Sequence, residues 1–119
     1  MLAREACTYV MKNYLAIPII LLIPAVSAWD SCYCTGDQPN ADRSARECCV
    51  GGDGVSFPNT QGDVLGSWDG LLCSYSGAVT TQNTENQAII SFSDCCKPTG
   101  GNTITGGNCC TKQADGKCK

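Results

Sequence analysis

Residues 94–111 read DCCKPTGGNTITGGNCCT. The stretch carries two Cys-Cys pairs and a doubled unit, TGGNTI followed by TGGNCC. So dense a set of thiols serves one of three chemistries: a metal centre, a reactive thiol, or a set of cross-links. The fold depends on which one applies.

A metal centre is argued against by spacing. Zinc ligands from one knuckle stand about two to four residues apart, whereas Cys95, Cys96, Cys109 and Cys110 come as direct neighbours whose side chains diverge. A redox centre needs a C-x-x-C motif or one activated cysteine. The nearest approach to it is Cys32-Tyr33-Cys34, a C-x-C pair. Cross-linking remains, and it requires an oxidising compartment.

The N-terminus supplies one. From Met11 the chain reads MKNYLAIPIILLIPAVSAWDSC, with Lys12 ahead of Tyr14–Val26, a 13-residue run without charge, and the small-residue site Val26-Ser27-Ala28. That layout predicts a secretory signal peptide over residues 1–28, with Met11 as the better start than Met1. A spanning helix needs roughly 20 apolar residues; this run is shorter and contains Pro18 and Pro24. No membrane association is expected after cleavage, and Cys7 leaves with the signal.

Removing 28 residues from 119 leaves a single domain, 29–119, of 91 residues. It holds ten cysteines: Cys32, Cys34, Cys48, Cys49, Cys73, Cys95, Cys96, Cys109, Cys110 and Cys118. An even number in a short secreted chain reads as a disulfide framework. The apolar content agrees, since Leu, Ile, Val and Phe together number only 12 in the 91. A core that thin does not offset the ordering entropy without cross-links. Neighbouring cysteines cannot comfortably bond each other, so each Cys-Cys pair is expected to reach two partners. The four cysteines of 94–111 are expected to reach four different segments. Cys48/Cys49 and Cys95/Cys96 are expected to lie together and to draw in Cys32, Cys34, Cys73 and the tail.

Six Lys/Arg and ten Asp/Glu give the 29–119 domain a net charge of −4. That excludes a nucleic-acid partner, which calls for cationic charge against phosphates. The chain has no histidine, which removes Ser-His-Asp and Cys-His catalysis. Glu47 and Glu85 are the only glutamates of the domain, each at the end of an expected helix, and its aspartates stand mostly in turns. No catalytic residue, metal ligand or cofactor is therefore assigned. Asp37–Asp42 and Gly51–Gly54 bring oxygen ligands near glycine but lack the EF-hand spacing.

The expected fold is a small disulfide-rich α+β domain: two short helices and a small antiparallel sheet. Residues 29–38 form an extended entry. Asn40 caps a helix at 40–49 that stops at Gly51-Gly52. Short strands are expected at Val55–Phe57, Leu71–Tyr75 and Ala78–Thr81, with Ser76-Gly77 as the turn between the last two. AIISF at 88–92 suits either helix or strand. Thr84 with Gln87 three residues on matches a capping box and favours a helix ending in Cys95-Cys96. The tail is read as a loop with a strand at Thr103–Thr105. Trp68, in the turn-like GSWDG, is the candidate ligand contact for a sugar or protein partner.

The string C-x-C-x13-CC-x23-C-x21-CC-x12-CC-x7-C behind a signal peptide resembles the small secreted cysteine-rich proteins of filamentous fungi. CYC at 32–34, ECCVGG at 47–52, Cys73 and FSDCC at 92–96 carry the likeness. The resemblance implies secretion by a fungus living on a host and an effector role outside host cells. The function expected is a non-enzymatic, monomeric effector that binds a host extracellular protein or a cell-wall polysaccharide. Two alternatives stand beside it. One is a hydrophobin-like surface-active or structural wall protein, although hydrophobins have eight cysteines. The other is a protease inhibitor presenting a rigid loop at 54–70.

Overall fold

The computed structural model describes residues 28–119. The expected leader up to Ser27, including Met11 and Cys7, lies outside the described residues.

Strand β1 (Ser31–Gly36) is followed by helix α1 (Asn40–Val50), by four two-residue strands, β2 (Val55–Ser56), β3 (Asp63–Val64), β4 (Ser67–Trp68) and β5 (Cys73–Ser74), and by the single-turn helix α2 (Gly77–Thr80). Helix α3 (Glu85–Gly100) then runs through a 3-10 turn (Gly101–Thr103) into strand β6 (Ile104–Cys110). The main sheet has the order β4-β5-β1-β6 with antiparallel neighbours, and β2-β3 form a separate ribbon. Helix α3 lies against β6 and β1, and α1 packs on β1 and α3. The domain is the small disulfide-rich α+β fold that the cysteines implied.

Helix α1 forms on a stripe of small residues. Ala41, Ser44, Ala45, Cys48 and Cys49 are buried at helical spacing. Its N-cap is Pro39, one residue before the cap expected. Asn40 instead opens the helix and sends its amide across the domain, donating to the Gly100 carbonyl (2.9 Å) and to Thr103 Oγ1 (2.8 Å). A side chain with a distant, partly buried carbonyl in reach is worth more there than at its own helix start, where Ala41 N–H already donates to the Asp37 carbonyl.

Helix α3 settles the helix-or-strand question at 85–96. Gln87 N–H donates to Thr84 Oγ1 (3.1 Å) and Thr84 N–H donates to Gln87 Oε1 (2.9 Å), completing the capping box. Ala88, Phe92 and Cys96 are buried at every fourth position. The helix continues four residues beyond Cys96, through Pro98 in its last turn. Proline removes one helical hydrogen bond. The end of the helix is held instead by the Asn40 contact on Gly100 and by the bonds of Cys95 and Cys96.

Three strand expectations change. Ala78–Thr81 is not a strand: Gly77–Thr80 is a helical turn capped at Ser76, so Ser76-Gly77 is no hairpin turn. Local partners win there, because Asn83 Nδ2 donates to the Val79 carbonyl and Thr81 Oγ1 to the Gly77 carbonyl. Leu71–Tyr75 shortens to Cys73–Ser74, because Asp69 Oδ1 accepts from the N–H groups of Leu71 and Leu72 and holds them in a turn. The tail strand, expected at Thr103–Thr105, runs instead from Ile104 to Cys110, because β1 offers a partner along almost its whole length. Residues 99–108 therefore end a helix and build a strand, and do not form a loop.

The core centres on three rings. Trp29, Phe57 and Tyr75 meet with centroids 5.0–5.9 Å apart. Phe92 fills the space under β6.

Candidate functional site

All ten cysteines of the described domain are paired: Cys32–Cys109, Cys34–Cys96, Cys48–Cys95, Cys49–Cys73 and Cys110–Cys118. Each Cys-Cys pair does reach two partners. Cys32 stands directly opposite Cys109 in the β1–β6 ladder, and their bond locks edge strand β6 to β1. Cys34–Cys96 ties α3 to β1, Cys48–Cys95 ties α3 to α1, and Cys49–Cys73 ties α1 to β5. Cys110–Cys118 folds the tail into a small loop. Two expectations are corrected. Cys32 bonds within the sheet and stays out of the α1–α3 knot. The four cysteines of 94–111 reach three segments, since Cys96 and Cys109 both bond β1. Spacing gives no warning of this, because it reports neither strand register nor which helix face meets the sheet.

The sulfurs of Cys34, Cys48 and Cys96 lie within 4.8 Å of one another, the distance of a metal-ligand cluster. They come together because two disulfides stack side by side where α1, α3 and β1 converge. In this bonded state they offer no thiolate to an ion.

Three surface depressions stand out among the described residues. One, of about 370 Å³, lies where α2 meets α3 and is lined by Asn59, Thr81, Gln82, Thr84, Glu85 and Gln87, with Trp29 beneath. Its construction is local. Asn83 is buried and accepts from Asn59 N–H through Oδ1 (2.9 Å), while its Nδ2 donates to Thr60 Oγ1 (2.8 Å) and the Val79 carbonyl (3.0 Å). The Asn83 carbonyl accepts from Trp29 Nε1 (2.8 Å). One asparagine thus fixes the floor of a cleft walled by amides and hydroxyls with a single carboxylate. Nothing in the sequence marks Asn83, since asparagine is common in the turns around it. A second groove, about 200 Å³, runs between Tyr33, Leu71, Leu72 and Lys117. The third, about 330 Å³, is lined by Gly54, Val55, Ser56, Asp63, Ser91, Asp94 and Cys95.

Trp68 is half-buried in edge strand β4, packed against the core. It lines none of these three depressions. Its neighbour Asp69 pairs with Lys112, which pins the tail to the β4–β5 turn. The hydrogen bond from Lys112, helped by the Leu72 N–H, holds the Asp69 carboxyl down to about 2. Burial pushes the Tyr75 phenol above its ordinary range, and its hydroxyl meets no hydrogen-bond partner among the described residues. The segment at 54–70 is a folded ribbon, β2–β3, leading into β4. No helix among the described residues is long and apolar enough to cross a membrane.

Compared with models of known protein families, with curated proteins and with solved structures, the chain matches none. The class that the structure itself defines is a small, cysteine-rich, disulfide-bonded α+β domain.

Proposed function

We propose that the protein is a secreted, non-enzymatic, effector-like monomer that acts outside cells by binding a host extracellular protein or a cell-wall polysaccharide. The observation that carries the reading is the cleft at the α2–α3 junction, held on a frame that five disulfides cross-link. Its walls of Asn59, Thr81, Gln82 and Gln87 offer neutral donors and acceptors with one carboxylate, Glu85. That set suits an uncharged, hydroxylated or amide-bearing ligand, such as a polysaccharide chain or a peptide backbone. A rigid, cross-linked site also spends little entropy on ordering itself when it binds. The disulfides are compatible with life outside the cell.

The test is retention of the oxidised protein on insoluble chitin, cellulose and β-glucan, and capture of proteins from host extracellular fluid. Each assay is run with wild type and with Thr81→Arg and Gln82→Arg, which fill the cleft from exposed positions. Binding that both substitutions abolish supports the proposal. Binding unchanged by both, or abolished only by Trp68→Ala, would move the site elsewhere. Turnover of a cell-wall polymer by the wild type would overturn the non-enzymatic reading.

A further inference from the structure

The two stacked disulfides differ in access. Cys34, Cys96 and Cys48 are buried, at 3%, 0% and 1% exposure. Cys95 is only partly covered and lines the open cleft with Asp63 and Asp94. An attacking thiolate arriving from solvent therefore meets Cys95 first within this pair of bonds. Thr99 Oγ1 stands 3.7 Å from Cys48 Sγ and 3.8 Å from Cys95 Sγ, so one hydroxyl borders both sulfurs of the bond. Behind it, Cys48 Sγ lies within 4.8 Å of both sulfurs of Cys34–Cys96.

We propose that Cys95 is a thiol–disulfide exchange site, at which an external uncharged or cationic thiol starts a relay through Cys48 into the Cys34–Cys96 bond. In the first step the external thiolate bonds Cys95 Sγ, and the Cys48–Cys95 bond breaks. The electron pair leaves on Cys48 Sγ, where the Thr99 hydroxyl donates to it. In the second step the Cys48 thiolate attacks the adjacent disulfide and forms Cys34–Cys48 or Cys48–Cys96. The thiolate expelled, on Cys96 or Cys34, takes up the proton lost by the incoming thiol. The sum is addition of one thiol molecule, with no net oxidation or reduction, and one free protein thiol. Where Cys34–Cys48 forms, α3 loses both covalent ties to the frame. The site is thus placed to loosen the helix that walls the α2–α3 cleft.

The carboxylates set the thiol class. Asp63 and Asp94 line the approach to Cys95, so a thiol carrying negative charge is repelled and one carrying an ammonium is attracted. Exchange rate otherwise follows thiolate fraction and leaving-group pKa. The proposal is independent of which partner the cleft binds.

The test treats the oxidised full domain with cysteamine, 2-mercaptoethanol and 2-mercaptoethanesulfonate at matched thiolate concentration. Acid quenching, alkylation and peptide mapping by mass spectrometry then locate adducts, free thiols and new bonds. Expected is a mixed disulfide at Cys95, with Cys48 joined to Cys34 or Cys96 and the remaining cysteine alkylated. Cysteamine should react several-fold faster than the sulfonate thiol. The gap should close at high salt and in the Asp63→Asn/Asp94→Asn variant. Thr99→Val, at an exposed position, should slow adduct formation a few-fold without changing thermal stability appreciably. A Cys95 adduct with alkylated Cys48 and an intact Cys34–Cys96 bond would overturn the relay. Reaction confined to Cys110–Cys118 until the domain unfolds would overturn the site. Equal rates for the three thiols at low salt would overturn the charge selection.

Discussion

Gly107 is a position where adding one carbon should be costly for its size. It lies in β6 beneath α3, and a Cβ there would stand 3.1 Å from Cys96 Sγ, 3.2 Å from Phe92 Cδ2 and 3.2 Å from the Ser93 backbone nitrogen. Carbon prefers about 3.5–4.0 Å to such neighbours. None of the three is the loose end of a flexible chain: the sulfur is bonded to Cys34, the ring is fully buried, and the nitrogen belongs to the helix. The glycine is also clasped by Ser93, whose Oγ accepts from Gly107 N–H (2.8 Å) and donates to the Gly107 carbonyl (3.2 Å). Overpacking of this kind costs about 1–3 kcal/mol. Alanine recovers part of it, about 0.4–1 kcal/mol, by restricting the unfolded chain. Gly77→Ala is the matched control, since its Cβ meets nothing within 4 Å. The control should be neutral or slightly stabilising, and Gly107→Ala should lie about 1–3 kcal/mol below it. In a domain of this size each kcal/mol moves Tm by roughly 4–8 °C. The measurement is thermal and urea unfolding of both variants with all disulfides intact. If the two agree within about 0.5 kcal/mol, the claim that close α3–β6 packing requires glycine at 107 is wrong.

Asn83→Ala should cost about 2 kcal/mol or more, because it strips partners from the Asn59 N–H and the Val79 carbonyl in a buried setting; it should also weaken any ligand held by the α2–α3 cleft, as read by unfolding and binding titrations together. Asp69 has its carboxyl lowered from 3.8 to about 2, so its contribution is complete above roughly pH 4 and is lost as pH falls through 2. Exchange protection of residues 111–119, taken relative to the intrinsic rate at each pH, should accordingly fall across that window in wild type, and Asp69→Asn should already show the lowered protection at pH 5. Removing Cys110–Cys118 by double alanine substitution should cost the least of the five bonds, on the order of 2–3 kcal/mol, because its sequence separation of 8 closes the shortest loop. Removing Cys48–Cys95, with a separation of 47, should cost on the order of 4 kcal/mol by the same entropy argument, and denaturant unfolding of the two double variants ranks them.

Much of the architecture was legible because the relevant signals are local. Thr84 and Gln87 form a capping box from side chains three residues apart, so α3 announced its own start. The Gly51-Gly52 stop announced the end of α1, and Asn40 marked its start although the cap itself falls on Pro39. The short strands were least legible, because a two-residue strand such as Cys73–Ser74 is defined by its neighbours β1 and β4 and carries almost no pattern of its own. The cleft was not legible either. It depends on Asn83 meeting Asn59, Thr60 and Trp29, residues 23 to 54 positions away.

The doubled TGGN shows where the division falls. The sequence alone determined that the cysteines at either end are cross-links, since pairing follows from their number, their adjacency and a core too thin to fold without them. It did not determine what the two copies become. Thr99-Gly100-Gly101-Asn102 ends α3 and enters the 3-10 turn, while Thr105-Gly106-Gly107-Asn108 is strand. Identical residues have identical intrinsic preferences, so the difference comes from their surroundings. The first copy is held at the end of a helix by Asn40, and the second has β1 alongside it and α3 above. Glycine suits both places for the same reason. At Gly100 a Cβ would collide with Ile104 and Ser44, and at Gly107 it would crowd Cys96 and Phe92. Only the tertiary structure brings those neighbours close enough to demand that the side chain be absent.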